Sequence, residues 1–157
     1  MINPVRIDDY INADNSIEFD NLVTAISYED RCFLSLEKII DNFIFKNVFI
    51  LVFESDYLDQ KLLEKWKFQK KNLLNYLEEK DITPIEIECN PVLFKDTITR
   101  LLELIDNETD RNFINITTLP KNYILRLAKE FDNKENIFFY CRTSYRRPSD
   151  IELRVCR

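Results

Sequence analysis

Short, nearly continuous apolar runs alternate along this chain with longer segments of helical period, and that alternation constrains the fold more than any other feature. The runs are Leu22 to Ile26, Val48 to Phe53, Ile85 to Cys89, Phe113 to Ile116 and Ile137 to Cys141. Between them lie four helical stripes: Phe33, Leu36, Ile40 and Phe43; Leu58, Leu62, Trp66, Leu73 and Leu77; Phe94, Ile98, Leu101, Leu102 and Ile105; and Ile124, Leu127, Ala128 and Phe131. Parallel neighbours need a crossover, and right-handed crossovers distribute helices over both faces of a sheet. The pattern predicts a three-layer α/β sandwich with a mostly parallel five-stranded sheet and helices on both faces. Ile151 to Cys156 also alternates and is the candidate for a sixth strand at an edge; the first 18 residues, polar and acidic, read as a peripheral arm or a short edge strand. In 157 residues without a linker-like or low-complexity stretch, a single domain over 1–157 is expected.

The chain contains neither glycine nor histidine. Without glycine, the G-x-G-x-x-G and G-x-x-x-x-G-K-[ST] phosphate loops cannot exist; without histidine, Ser-His, Cys-His and His-zinc chemistry is excluded. A coding bias accounts for the same zeros, since Ile (19) and Asn (15) are abundant. Turns that usually place glycine at positive φ are then expected to use asparagine, as at Asp41-Asn42, Asp106-Asn107 and Asp132-Asn133 near helix ends. Other end signals are Ser27-x-x-Asp30, which resembles a capping box, Asn90-Pro91 as a helix start, and Pro120 in a first turn.

A net charge of -6 argues against a protein that coats nucleic acid. The charge is uneven: residues 1–60 carry four basic and twelve acidic side chains, while 61–157 carry eighteen and sixteen, with five arginines after position 141. Cys32, Cys89, Cys141 and Cys156 are widely spaced, without a C-x-x-C pair, and read as reduced thiols. Cys32 sits at a helix start that can lower its pKa, but with no histidine to activate it the structural reading is preferred. The opening Met1 to Arg6 lacks the apolar core of a signal peptide, and no apolar run approaches the ~18 residues of a membrane span. A cytoplasmic protein with no membrane contact is expected.

In a parallel sheet the carboxyl ends of all strands share one edge, where ligands bind. Candidate ligand-binding residues there are Ser27, Tyr28, Glu29 and Arg31 after the first strand, Glu54 and Asp56 after the second, and Arg142, Ser144 and Arg146 after the fifth. Glu54 follows six apolar residues, so desolvation raises its pKa unless Arg31 or Arg142 holds it ionised; an ordinary ion pair at the rim is the plainer alternative. Arg142, Arg146 and Arg147 with Ser144 suit bidentate contacts to phosphate, or else form a solvated face. Tyr28 and Tyr145 suit stacking on a ring, or packing. Ser27 offers a hydroxyl to a ligand or caps its helix. Trp66 reads as core. No residue spacing specifies a metal, and no catalytic residue is assigned.

Ala25 to Leu36, with Ile26-Ser27-Tyr28, an acidic residue and an aromatic before a helix, resembles the first box of TIR domains. Ile50 to Leu58 is similar to the later TIR strand that ends in serine. The resemblance implies an NAD-handling α/β domain. Only 27 residues separate Tyr28 from Ser55, and the Ser-x-x-Trp-x-x-x-Glu arrangement is absent, so no catalytic residue is carried over. By topology the chain also resembles the Rossmann-like nucleotide-sensing and nucleotide-cleaving domains of bacterial antiviral systems.

Three functions follow as expectations, in this order. The first is a domain that senses or cleaves a nucleotide or NAD, as ligand or substrate. The second is an interaction module that meets a protein partner, or another copy of itself, through the lysine-rich long helix (Lys67, Lys70, Lys71) or the acidic first 60 residues. The third and least favoured is a nucleic-acid contact at Arg146 and Arg147.

Overall fold

A computed structural model describes residues 5–13, 17–53, 58–90, 92–106, 108–133 and 135–141. Five strands, β1 (Glu18–Ala25), β2 (Ile44–Phe53), β3 (Ile85–Cys89), β4 (Asn112–Asn115) and β5 (Ile137–Phe139), form one sheet in the order β3-β2-β1-β4-β5. Every described pairing is parallel. The helices are α1 (Ile7–Asn12), α2 (Arg31–Asn42), α3 (Gln60–Glu79), α4 (Phe94–Leu104) and α5 (Lys121–Glu130).

Both faces of the sheet are covered, because the strands are apolar on both sides. In β2, Val48 and Ile50 pack with Leu36 and Ile39 of α2 and Leu73 and Leu77 of α3, while Phe49, Leu51 and Phe53 pack with Ile98 and Leu101 of α4 and Tyr123 and Leu127 of α5. Each fully buried Leu, Ile or Phe among these contributes about 1.5–3 kcal/mol relative to exposure. Thus α2 and α3 form one outer layer and α4 and α5 the other, giving the three-layer α/β architecture that the alternation predicts. Phe19, Phe43, Phe45 and Phe113 cluster on the α2–α3 face with contacting ring centroids 5.0 to 5.8 Å apart, in stacked, tilted and edge-on contacts.

A row of asparagines crosses the sheet near its amino edge. Asn21 is in register with both Asn47 and Asn112. The side-chain amide of Asn47 donates to Asn21 at 3.1 Å, that of Asn21 donates to Asn112 at 2.8 Å, and that of Asn112 donates to Asn136 at 3.0 Å. Asn21 and Asn112 are buried and are satisfied by one another and by the more exposed Asn47 and Asn136, so the polar row costs little while the strands stay in this register.

The ends of elements differ from the expectations in several places. Ile7 to Asn12, within the stretch read as an arm or edge strand, is a short helix whose Ile7, Tyr10 and Ile11 pack against the α2–α3 core. Ser27 does not cap α2: its hydroxyl accepts from the N–H of Glu29 at 3.2 Å, two residues on, and the residue before the helix is Asp30, whose side chain makes no capping bond. A local turn takes the hydroxyl that a capping box would use. Asn90 makes the bonds of the expected cap, its Oδ1 accepting from the N–H groups of Val92 and Leu93, but the regular helix α4 begins only at Phe94. The asparagine-for-glycine expectation at helix ends is corrected at Asn42 and Asn133, while Asn107 lies outside the described residues. The residues that close α2, α4 and α5 are Phe43, Ile105 and Phe131, all with negative φ, and the one described residue at positive φ is Asp81 (φ 57), just past α3. The candidate sixth strand over 151–156 lies outside the described residues.

Candidate functional site at the carboxyl edge

The five strands end on a single edge. The chain runs outward from β1 to β2 and β3, then returns to β4 on the other side of β1, so strand order reverses between β1 and β4. Under that reversal the structure is filled by its own polar groups. The side-chain amide of Asn115 donates to Thr24 Oγ1 (3.0 Å) and Ser35 Oγ (2.9 Å), tying β4 to β1 and α2, and all three side chains are buried. Thr117 Oγ1 accepts from the N–H of Cys141 at 2.9 Å.

The loops after β1 and β5 meet here. Arg31 Nη1 donates to the Tyr140 hydroxyl at 3.0 Å, and its guanidinium lies 5.7 Å from that ring's centre. The same guanidinium forms an ion pair with Glu29 at 2.5 Å, the main reason that its pKa is raised. Arg31 and Glu29 therefore neutralise one another, and Tyr28 is exposed beside them. Ser27 donates its N–H to the Cys32 thiol (3.3 Å), which in turn donates to the Ala25 carbonyl oxygen. Burial pushes the Cys32 thiol up to about 11, so it is a structural thiol. Glu54, Asp56, Arg142, Ser144 and Arg146, like Arg147 and Tyr145, lie outside the described residues.

A cleft lies further along the same edge, over the ends of β2 and β3. It measures about 630 Å³ and has Phe53, Cys89 and Asn90 at its base, Trp66 and Lys70 of α3 on one wall, and Leu93, Asp96, Thr97 and Arg100 on the other. α3 and α4 cover opposite faces of the sheet, so the cleft opens around the sheet's margin rather than at the strand-order reversal. Lys70 Nζ sits 5.4 Å from the Trp66 ring centre and 3.6 Å from Glu86. Two cations, Lys70 and Arg100, thus share the cleft with two carboxylates, Glu88 and Asp96. Behind it, the buried Tyr123 hydroxyl donates to the Asn90 carbonyl oxygen at 2.7 Å and lies 3.2 Å from Thr97 Oγ1. Burial raises the Tyr123 phenol to about 12 and the Cys89 thiol to about 11, so both stay protonated near neutrality.

The sequence reading favours the loops after the first, second and fifth strands, and its residues after the second and fifth lie outside the described residues; the described cleft is lined from the ends of β2 and β3 and from α3 and α4. Trp66 is half-buried against the α2–α3 core, as expected, and also lines the cleft. The missed residues left a signal: Thr97 and Arg100 follow Leu93 at helical spacing, giving α4 a polar strip beside its apolar face. Among the described residues, no cluster of metal-ligating side chains occurs and no helix is long and apolar enough to cross a membrane. Comparison with known protein families, curated proteins and solved structures finds no match to this chain. What the coordinates define is a Rossmann-like, all-parallel α/β sheet with a charged, aromatic-walled cleft at its carboxyl edge.

Proposed function

We propose that this chain is a nucleotide-binding domain, taking a nucleoside phosphate or an NAD-like compound in the cleft beside β3. One observation carries the reading: a single hollow at the carboxyl edge of a parallel sheet unites an indole, Trp66, with two cations, Lys70 and Arg100. An indole offers a face for a heteroaromatic ring, a guanidinium offers a fork for phosphate, and the carboxylates of Glu88 and Asp96 offer acceptors for ribose hydroxyls. The cleft volume lies within the roughly 300–1,000 Å³ of small-molecule sites. On the resemblance by topology alone, the reading extends to the cytoplasmic nucleotide-sensing and nucleotide-cleaving domains of bacterial antiviral defence.

The test is a melting series with ATP, ADP, AMP, NAD and cyclic nucleotides. A true ligand at a hundred times its dissociation constant stabilises the fold by about 2.7 kcal/mol. It should also quench the emission of Trp66, the only tryptophan in the chain. Trp66→Ala and Arg100→Ala should each remove the response. If millimolar concentrations of every compound leave both melting and emission unchanged, the reading fails.

A further inference from the structure

The cleft continues past the carboxyl edge. A second hollow of about 320 Å³ is lined by Val52, Lys70, Glu86, Glu88 and Arg100, and it shares four of these with the first. Together the two follow β3 from Cys89 back to Glu86. β3 is the outermost strand on its side and bonds only to β2, so among the described residues its outer row of N–H and C=O groups has no strand partner. An open edge of this kind is a template for another extended chain.

The flanks of this edge differ chemically. On the α4 side, Leu93, Thr97, Arg100 and Leu104 fall at three- and four-residue spacing and form one stripe. Leu93 is 66% exposed and Leu104 is 49% exposed, while Ile85 at the start of β3 is 40% exposed. On the other face of the strand, Glu86 and Glu88 alternate with the buried Ile87 and Cys89. Lys70 pairs with Glu86, and Glu88 has no ion pair among the described residues. A strand added at this edge would send alternate side chains to the exposed Ile85, Leu93 and Leu104, beside Arg100, and to a pair of carboxylates of which Glu88 is the unpaired one among the described residues. A second copy of β3 fits poorly, because antiparallel pairing about a twofold axis would set Glu86 and Glu88 against the same carboxylates.

We propose that the outer edge of β3 takes up an extended segment of a partner protein in which apolar residues alternate with Lys or Arg. Backbone pairing to β3 supplies affinity, and the alternation fixes which face of the segment meets Glu86 and Glu88. This docking does not depend on the nucleotide reading, although both occupants would meet Lys70 and Arg100.

The full chain is titrated, with Trp66 emission as readout, against three capped peptides: a seven-residue peptide alternating Lys and Val, an isomer with the lysines and valines in separate blocks, and the alternating peptide methylated at every backbone nitrogen. The alternating peptide should bind at least tenfold more tightly than either control. Glu86→Lys/Glu88→Lys should weaken it at least tenfold; if that variant melts without cooperativity, Leu104→Asp at its exposed position takes its place. Equal binding of the block isomer would show bare charge attraction, and unaltered binding of the methylated peptide would show that the strand edge is not used. Either result overturns the proposal, as would no binding of any peptide or dimerisation of the chain through β3. Nucleotide stabilisation should survive Leu104→Asp, so the two readings can fail separately.

Discussion

The backbone N–H of Ile82 donates to the carbonyl oxygen of Leu77 at 2.9 Å, and the side chains of both residues pack in the α2–α3 core. Together with the bond from the Asp81 N–H to the Glu78 carbonyl (3.0 Å), this is the paired closure that ends many helices, and it requires the residue between to sit in the left-handed region. That residue is Asp81, at φ 57.

Asp81→Gly should therefore stabilise the protein. An aspartate tolerates this conformation at a cost that glycine avoids, so the expected gain is about 0.5–1 kcal/mol, less the greater freedom of glycine in the unfolded chain. Urea unfolding measures it. A variant less stable than the parent would show that the Asp81 side chain contributes more than its backbone costs.

Cys32 and Cys89 should resist thiol reagents. With both held at about 11, only about one thiol in a thousand is ionised at pH 8, against about a quarter at the ordinary value of about 8.5. Disulfide-exchange labelling of the folded chain should be at least 100-fold slower at these two positions than in denaturant, with sites assigned by peptide mass. The raised values also set a direction with pH. Their stabilising contribution is complete below about pH 8.5 and is lost as the pH rises towards 11.

Asp20 contributes to the acid limb, as do Asp41 and Asp106, whose carboxyls are also held below the ordinary value by hydrogen bonds. The Asp20 carboxylate accepts from Lys46 Nζ at 2.6 Å and from the backbone N–H of Arg111 at 2.8 Å, and these bonds, that of Lys46 first, hold its pKa below the ordinary value. A depressed folded value means that the contribution is present above the unfolded pKa of about 4 and is lost as the pH falls through the folded one. Asp20→Asn should cost about 1 kcal/mol at pH 6 and show a smaller fall in urea midpoint between pH 6 and pH 3 than the parent. Parallel pH profiles for the two proteins would contradict this.

The layers were legible because buried parallel strands leave unbroken apolar runs; β3 runs over the residues that its alternation marks, Ile85 to Cys89. β2 begins at Ile44, four residues before its apolar run, because Ile44, Phe45 and Asn47 pair with the start of β1, while Lys46 and Asn47 interrupt the apolar run in the sequence. Ser27 showed that a cap-forming residue was present but not which N–H it would take, since its hydroxyl closes a local turn at Glu29, whereas Asn90 does accept from the N–H groups that a cap would take. The loop of Ser27 to Arg31 was legible as polar and does reach the end of β5. The cleft was not, because Trp66, Glu88 and Arg100 are separated in sequence and gain a common neighbour only when α3 and α4 settle on opposite sides of the sheet margin.

The asparagine row has a consequence for assembly. Sliding β4 by a single position against β1 would turn Asn112 out of line with Asn21 and drive unsatisfied amides against phenylalanine rings. Asn47, Asn21 and Asn112 thus act as an index mark, and partly assembled chains with mispaired central strands should release and re-form rather than persist.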